Sequence, residues 1–243
     1  MAPRFVTLGP SHLAGMALAV AAGAALAWAA RARASARLDR LVRWALAAAC
    51  LGWAAGALGW LTLGAGHPLR SVLPLHLCDV SALLAPVVLL RPRRGLYELL
   101  YFWGVGGALQ AMATPAVTWG FPHPECLLFF SGHGAILASA LYATVAMRLR
   151  PVPRSILRAW LLTNVYGLLI LPLNVALGTN YLFLMHKPQQ PSLLDVMGPW
   201  PWYLVVLDVV ALGVIAACYL PFLVADRVAA RSGGGGPPPV GVS

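Results

Sequence analysis

Charge is what this sequence has least of. Only 10% of its 243 residues are charged and just seven are acidic, against 60% hydrophobic. A chain of this length could form one or two soluble domains, but this composition excludes them. The four cysteines, Cys50, Cys78, Cys126 and Cys218, form no CxxC pair, so their spacing supplies neither a redox motif nor a metal knuckle. HxxxH and HExxH are absent, which argues against a zinc site although the chain holds six histidines. No internal repeat is visible, and that counts against the inverted-repeat plan of secondary transporters. No metal and no cofactor is expected.

What the chain has in abundance is apolar length. Crossing a bilayer takes roughly 20 mostly apolar residues, and seven windows qualify, at about 8–30, 41–63, 72–90, 96–118, 126–147, 156–178 and 201–224. The expected fold class is all-α, a polytopic bundle of seven transmembrane helices. Residues 1–226 form the transmembrane domain, and 227–243, ending in SGGGGPPPVGVS, form a disordered cytoplasmic tail.

A formal charge of +10 would point to nucleic acid in a soluble protein, but here the arginines lie between alternate apolar windows and set topology instead. Fourteen of the seventeen basic residues fall on one side: Arg31, Arg33, Arg37, Arg40 and Arg43; Arg91, Arg93 and Arg94; Arg148, Arg150, Arg154 and Arg158; Arg227 and Arg231. Arg4, Arg70 and Lys187 are left on the other. The positive-inside rule then gives a multi-pass cell-membrane protein with its N-terminus outside and its C-terminus in the cytoplasm. The first window carries AxA-like sites near Ala27–Ala30, but its charge follows the apolar stretch, as in an anchor and unlike a cleaved signal.

With this topology all six histidines, His12, His67, His76, His123, His133 and His186, fall in the extracytoplasmic half, together with Asp79, Glu125, Asn180, Lys187, Asp195, Cys78 and Cys126. Ionisable groups inside membrane helices are costly, usually face the bundle interior and mark function. His133 lies roughly 10 Å into the fifth window at 1.5 Å per residue. His76, Cys78 and Asp79 occupy the outer turns of the third, Gln110 and Thr114 the fourth, Asn174 the sixth, and Asp208 the outer turns of the seventh. His76 with Asp79, and Cys126 with His133, share faces by helical spacing, so one common cavity is expected. The long connection LGTNYLFLMHKPQQPSLLDVMGPWPWY reads as a lid or binding loop. Trp200, Trp202 and Tyr203 read as an interfacial aromatic belt. Lys187, beside His186, reads equally as a ligand for a lipid phosphate and as a solvated charge. Gly52 and Gly56 read as a helix-packing pair.

The strings PLHLCDVSALL (74–84), YELLYFWGVGGALQA (97–111), FPHPECLLFFSGHG (121–134), NYLFLMHKP (180–188) and LLDVMGPWPWY (193–203) resemble the bacterial YwaF-like integral membrane proteins over about residues 70–224. A distantly similar animal branch includes a cysteine-centred acyltransferase acting on ether lysophospholipids, itself similar in fold to membrane hydrolases with a threonine nucleophile and a histidine. The resemblance implies intramembrane acyl chemistry, and the animal histidine aligns with His133. Laying the animal Pro-Cys-His-Leu on His76 puts its cysteine at Leu75, which cannot attack; Cys78 is the nearest substitute.

Two classes of function follow. In an acyltransferase or acyl-ester hydrolase, His133 or His76 is the base, Cys78 or a water attacks, Asp79 or Asp208 orients the histidine, and Asn180 or Gln110 donates to the oxyanion. Gln110, Asn174, Asn180, His186 and Lys187 then contact substrate. In a non-enzymatic binder or transporter the same groups recognise a head group and the histidines sense pH. In both, the partners are membrane lipids, with no nucleic acid.

Overall fold

The computed structural model describes residues 3–33, 35–190 and 192–231. Within them the chain is all-helical, and its only β pairing is an isolated bridge between Arg4 and Trp119. Seven helices follow in order: α1 (Pro10–Arg33), α2 (Ala36–Gly59, continued by a π turn over Trp60–Gly64), α3 (Leu77–Leu90), α4 (94–113, with a π turn over Phe102–Gly107), α5 (Pro124–Val145), α6 (Pro153–Leu177) and α7 (Trp202–Arg231).

Five of these, α1, α2, α5, α6 and α7, are long and apolar enough to cross a membrane. The expectation of seven equivalent spans needs refinement at α3, which is apolar but only 14 residues long, and at α4, whose first turns carry Arg94 and Glu98. α7 runs on through Arg231, past residue 227 where the tail is expected to begin. The rest of the expected tail lies outside the described residues.

Local signals explain the helix ends. Ser35 caps α2, its hydroxyl accepting from the Leu38 N–H at 3.3 Å. His123 caps α5, its Nδ1 accepting from the Glu125 N–H at 3.2 Å, with Pro124 at the first helical position. The Glu125 carboxylate turns outward and accepts the N–H groups of Thr118 and Trp119 at 2.9 and 3.2 Å, tying the preceding loop to the helix. This is what FPHPE does: it starts α5 and anchors the loop that enters it. At the other end of α6, Gly178 takes the left-handed cap at φ 64°.

The central helix is α5. More than half of its apolar stretch is buried inside the protein, whereas α1, α2, α6 and α7 each bury less than a fifth. α1 lies along it through small residues. A Cβ on Gly23 would stand 3.1 Å from the Ala138 Cα, and one on Gly134 would stand 3.2 Å from the Ala19 Cβ, so the two backbones approach only because those side chains are missing. On another face of α5, the Trp53 indole lies over Gly132 and donates to the Leu128 carbonyl at 2.6 Å.

The arginines gather at one end and close the helix termini there. Arg31 donates to the Val145 carbonyl at 3.0 Å and Arg43 to the Leu89 carbonyl at 3.1 Å, each at a helix C-terminus with open acceptors. Buried Glu98 lies 3.3 Å from Arg94 and 3.5 Å from Arg158, linking α4 to α6. Arg150 forms a two-pronged pair with Asp226 at 2.9 and 2.8 Å.

A Cβ at Gly132 would meet the Trp53 ring at 2.0 Å, while nothing lies within 4 Å of one at Gly52. Gly132→Ala should therefore destabilise the protein by at least the ~1–3 kcal/mol typical of overpacking, and Gly52→Ala should change it by no more than about 1 kcal/mol, in the stabilising direction. Thermal unfolding of the two variants in the same detergent checks the contrast.

Candidate functional site

At the end opposite the arginines, where the connections 65–76, 114–123 and 178–201 meet, two cavities adjoin. The first, about 460 Å³, is polar and lined by Ser71, His76, Thr179, Asn180, Tyr181, His186, Gln189 and Gln190 among others. The second, about 400 Å³, is apolar and runs beside α2, with Leu51, Ala54, Leu58, Leu61, Leu73 and Leu83 in its wall and Asp79 as its acid. Ser71, His76 and Tyr181 line both, so these three side chains form the partition. Each volume lies within the ~300–1,000 Å³ range of small-molecule sites.

Asn174 holds this partition. Its side-chain amide pairs with both backbone groups of Tyr181: Nδ2 donates to the Tyr181 carbonyl at 2.9 Å and Oδ1 accepts the Tyr181 N–H at 2.8 Å. The Tyr181 hydroxyl then donates to the Arg70 carbonyl and accepts the Leu73 N–H, both at 2.8 Å, which fixes the turn carrying Ser71. His76 stands at the N-cap of α3, where its N–H donates to the Asp79 carboxylate at 3.0 Å. Its ring packs against Tyr181 and Phe183, with centroids 5.3 and 5.7 Å apart, and Nδ1 accepts the Leu182 N–H at 3.4 Å. A neutral His76 in this contact therefore carries its proton on Nε2.

Two consecutive residues beside His76 are strained. Leu182 and Phe183 have φ of 59° and 55°, left-handed values that non-glycine residues adopt at a cost of about 1–3 kcal/mol each. The surrounding loop over-determines them. Asn180 Nδ2 donates to the His186 carbonyl at 2.8 Å while its Oδ1 accepts from the Met185 N–H at 2.9 Å. Trp200 donates to the Leu184 carbonyl at 3.1 Å, and the Tyr203 hydroxyl donates to the Phe183 carbonyl. Burial raises the pKa of the Tyr181 phenol, so it stays protonated as the donor this turn needs.

In place of the single cavity expected from the sequence there are two: His76 borders both and Asp79 the apolar one, while Cys78, Cys126 and His133, expected beside them, line neither. His133 is buried, its Nδ1–H donating to the Phe129 carbonyl of its own helix at 2.8 Å, and its ring lies 4.3 Å from Phe129 and 6.4 Å from Trp53. It lines neither cavity. Cys78 packs against the apolar core, Cys126 is buried near the start of α5, and all four cysteines are free thiols. Asp208 does not orient a histidine: its Oδ1 accepts from Trp160 Nε1 at 2.8 Å and Asn164 Nδ2 at 2.9 Å, which bolts α7 to α6.

Among the expected substrate contacts, Asn180 and His186 line the polar cavity. Asn174 is buried and engaged with Tyr181, so it positions the site from behind. Lys187 is 3.4 Å from the Asp195 carbonyl and 5.7 Å from the centre of the Tyr203 ring, and Gln110 borders neither cavity. Tyr203, read as an interfacial aromatic, is fully buried, whereas Trp200 and Trp202 are exposed as expected. Ser71, Thr179, Tyr181, Gln189 and Gln190 were not singled out individually. The signal for them was the length and amide content of the α6–α7 connection, which pointed to the loop without ranking its members.

The model of the TMEM164 family matches residues 7–219 of the chain. No curated protein and no solved structure matches it.

Asn174 is the partner of the Tyr181 N–H and shares the Tyr181 carbonyl with the Leu184 N–H at 3.4 Å, so Asn174→Ala leaves the buried N–H unpaired, at about 1–3 kcal/mol. The expected result is a lower melting temperature together with faster proteolytic cleavage between residues 178 and 198. Unchanged cleavage would show that the loop does not depend on this amide.

Proposed function

The chain belongs to the TMEM164 family of membrane proteins, and on that premise we propose that it acts on a membrane lipid ester at His76, as an intramembrane acyl-ester hydrolase or acyltransferase. The observation that carries this reading is the pairing of a polar and an apolar cavity across one partition that holds His76. An amphiphile laid across it puts its head group among Asn180, His186 and the glutamines, its chain beside Leu51, Leu58 and Leu61, and its ester next to His76 and Asp79. The resemblance to YwaF-like proteins and their acyltransferase relatives supports acyl chemistry, while it points to His133 and to a cysteine where this chain has Leu75.

The residues present suit a direct displacement. No cysteine lines either cavity, so the attacking oxygen comes from water in hydrolysis or from an acceptor hydroxyl in transfer. Asp79 takes its proton as the new C–O bond forms at the ester carbonyl. His76 Nε2–H donates to the oxygen that gains charge. The old ester C–O bond then breaks, and the proton held by Asp79 passes to the departing alkoxide. A second reading, binding of a lipid without chemistry, is favoured by one detail: the Ser71 hydroxyl, the only hydroxymethyl group on the partition, donates to the Pro68 carbonyl at 2.8 Å instead of facing a base.

The orientation belongs to this reading as well. We place all seven helices across the bilayer, with α3 extended by residues 72–76 and the N-terminus and both cavities on the extracytoplasmic side. An odd number of crossings brings every arginine-rich connection to one face, and the contacts Arg31–Val145, Arg43–Leu89 and Arg94–Glu98–Arg158 gather those connections together.

Untargeted lipidomics on cells lacking the protein and complemented with variants tests the assignment. Wild type should restore a lipid change, and His76→Ala and Asp79→Asn should fall short by the roughly 10²–10⁴-fold that general acid–base groups contribute. His133→Ala, folded by its melting curve, should restore it. Restoration by His76→Ala but not by His133→Ala would return the chemistry to α5. A lipid that co-purifies with wild type without any change in cellular lipids would favour the binder.

A further inference from the structure

The arginine-rich end holds more positive charge than its own contacts use. Three acids lie there, and each is paired: Asp39 with Arg43 at 2.7 Å, Glu98 with Arg94 and Arg158 at 3.3 and 3.5 Å, and Asp226 with Arg150 at 2.8 Å. Asp39 also accepts the Tyr142 hydroxyl at 2.8 Å, so it is turned inward. Among the described residues no acidic side chain pairs with Arg33, Arg37 or Arg40, which lie exposed at the end of α1 and the start of α2.

Beneath these cations lies an apolar, aromatic surface that none of the described residues covers. Residues 37, 40, 41 and 44 share a helix face by their spacing, and all four are exposed. The opposite face of α2 is the packed one, with Val42 and Leu46 in a buried cluster with Ala27, Ala138 and Tyr142. Leu41 is 62% exposed, Trp44 63% and Trp28, on α1, 70%. From Arg37 to Trp44 is about 10 Å along the helix at 1.5 Å per residue. Cations outermost, with tryptophan and leucine below them, follow the gradient from phosphate to acyl chain at a bilayer surface, where tryptophan is enriched.

We propose that the end of α1 and the start of α2 bind one anionic phospholipid, its phosphate between Arg33, Arg37 and Arg40 and its chains against Leu41, Trp44 and Trp28. This lipid is distinct from the one handled at His76: it sits at the opposite end of the bundle, on residues that line neither cavity.

The full-length protein in detergent, titrated separately with phosphatidylglycerol and phosphatidylcholine, is read by native mass spectrometry for bound lipid. Phosphatidylglycerol should be retained over phosphatidylcholine. The triple variant R33Q/R37Q/R40Q should weaken it roughly a hundred-fold, from about 1 kcal/mol for each arginine near a membrane surface. R91Q/R93Q/R154Q makes the same charge change at the same end and should weaken it less than about five-fold. Equal weakening by the two triples would reduce the effect to a general surface potential and overturn the site, as would equal retention of the two lipids by wild type. Glycerol phosphate in excess should not displace the lipid; if it does, the site is one for free phosphate. Should the arginine triple fail to fold, Trp44→Ala decides, since it keeps every charge and should still lower retention several-fold, and full retention would overturn the placement of the chains.

Discussion

A peptide group in hydrocarbon has no water to bond, and each one left open costs several kcal/mol. Helix ends, π turns and connecting loops must therefore find partners among side chains, and this protein commits much of its scarce polarity to them. Arg31 and Arg43 close the C-termini of α5 and α3. His12 is used at both nitrogens, Nδ1 accepting from the Leu8 N–H at 2.8 Å and Nε2 donating to the Met112 carbonyl at 2.6 Å, which ties the start of α1 to the end of α4. Tyr101 and Tyr166 reach across to the carbonyls of Cys218 and Leu75 at 2.8 and 2.9 Å. These bonds are part of what fixes the helices relative to one another, because apolar packing against lipid-like neighbours gives little net preference for protein over lipid.

The same constraint sorts the candidate residues. A polar group inside the bundle is equally conspicuous in the sequence whether it serves a carbonyl or a substrate. Asp208 is occupied by two N–H donors of α6, Asn174 by both backbone groups of Tyr181, and His133 by the carbonyl one turn before it. His76 differs in where it stands. It caps a helix at the border of two cavities, so its ring faces space that a ligand can fill while its backbone is anchored by Asp79.

The bundle itself was legible in the sequence because membrane helices are specified by long apolar runs, and the arginine alternation ordered them. The lengths of α3 and α4 were less so. Val72 and Leu73 extend the apolar count of the third window, yet they lie between a short 3₁₀ turn over Leu69–Ser71 and the start of α3, where Pro74 interrupts helix formation. Helical spacing correctly joined His76 with Asp79, since residues three apart at a helix start meet through the cap. It could not join α3 to α5. Which faces of two distant helices confront each other depends on packing contacts such as Trp53 on Gly132, and these have no signature in spacing. The loop residues Ser71, Tyr181 and Gln190 were beyond reach for a related reason: their placement follows from Asn174 and from two left-handed residues that no composition rule anticipates.

Those two residues connect the fold to the candidate site. Left-handed φ at both Leu182 and Phe183 persists only because Asn174, Asn180, Trp200 and Tyr203 hold the loop from four directions. What the strain achieves is the placement of the Leu182 N–H on His76 and of the Phe183 ring beside it, at the point where the polar and apolar cavities meet. A relaxed loop of the same composition would cover the opening without fixing the imidazole. The asymmetry of the whole molecule follows the same logic. One end uses strain and neutral amides to shape a polar cavity beside an apolar one, whereas at the other, among the described residues, Arg33, Arg37 and Arg40 have no acidic partner and stand near exposed tryptophan and leucine.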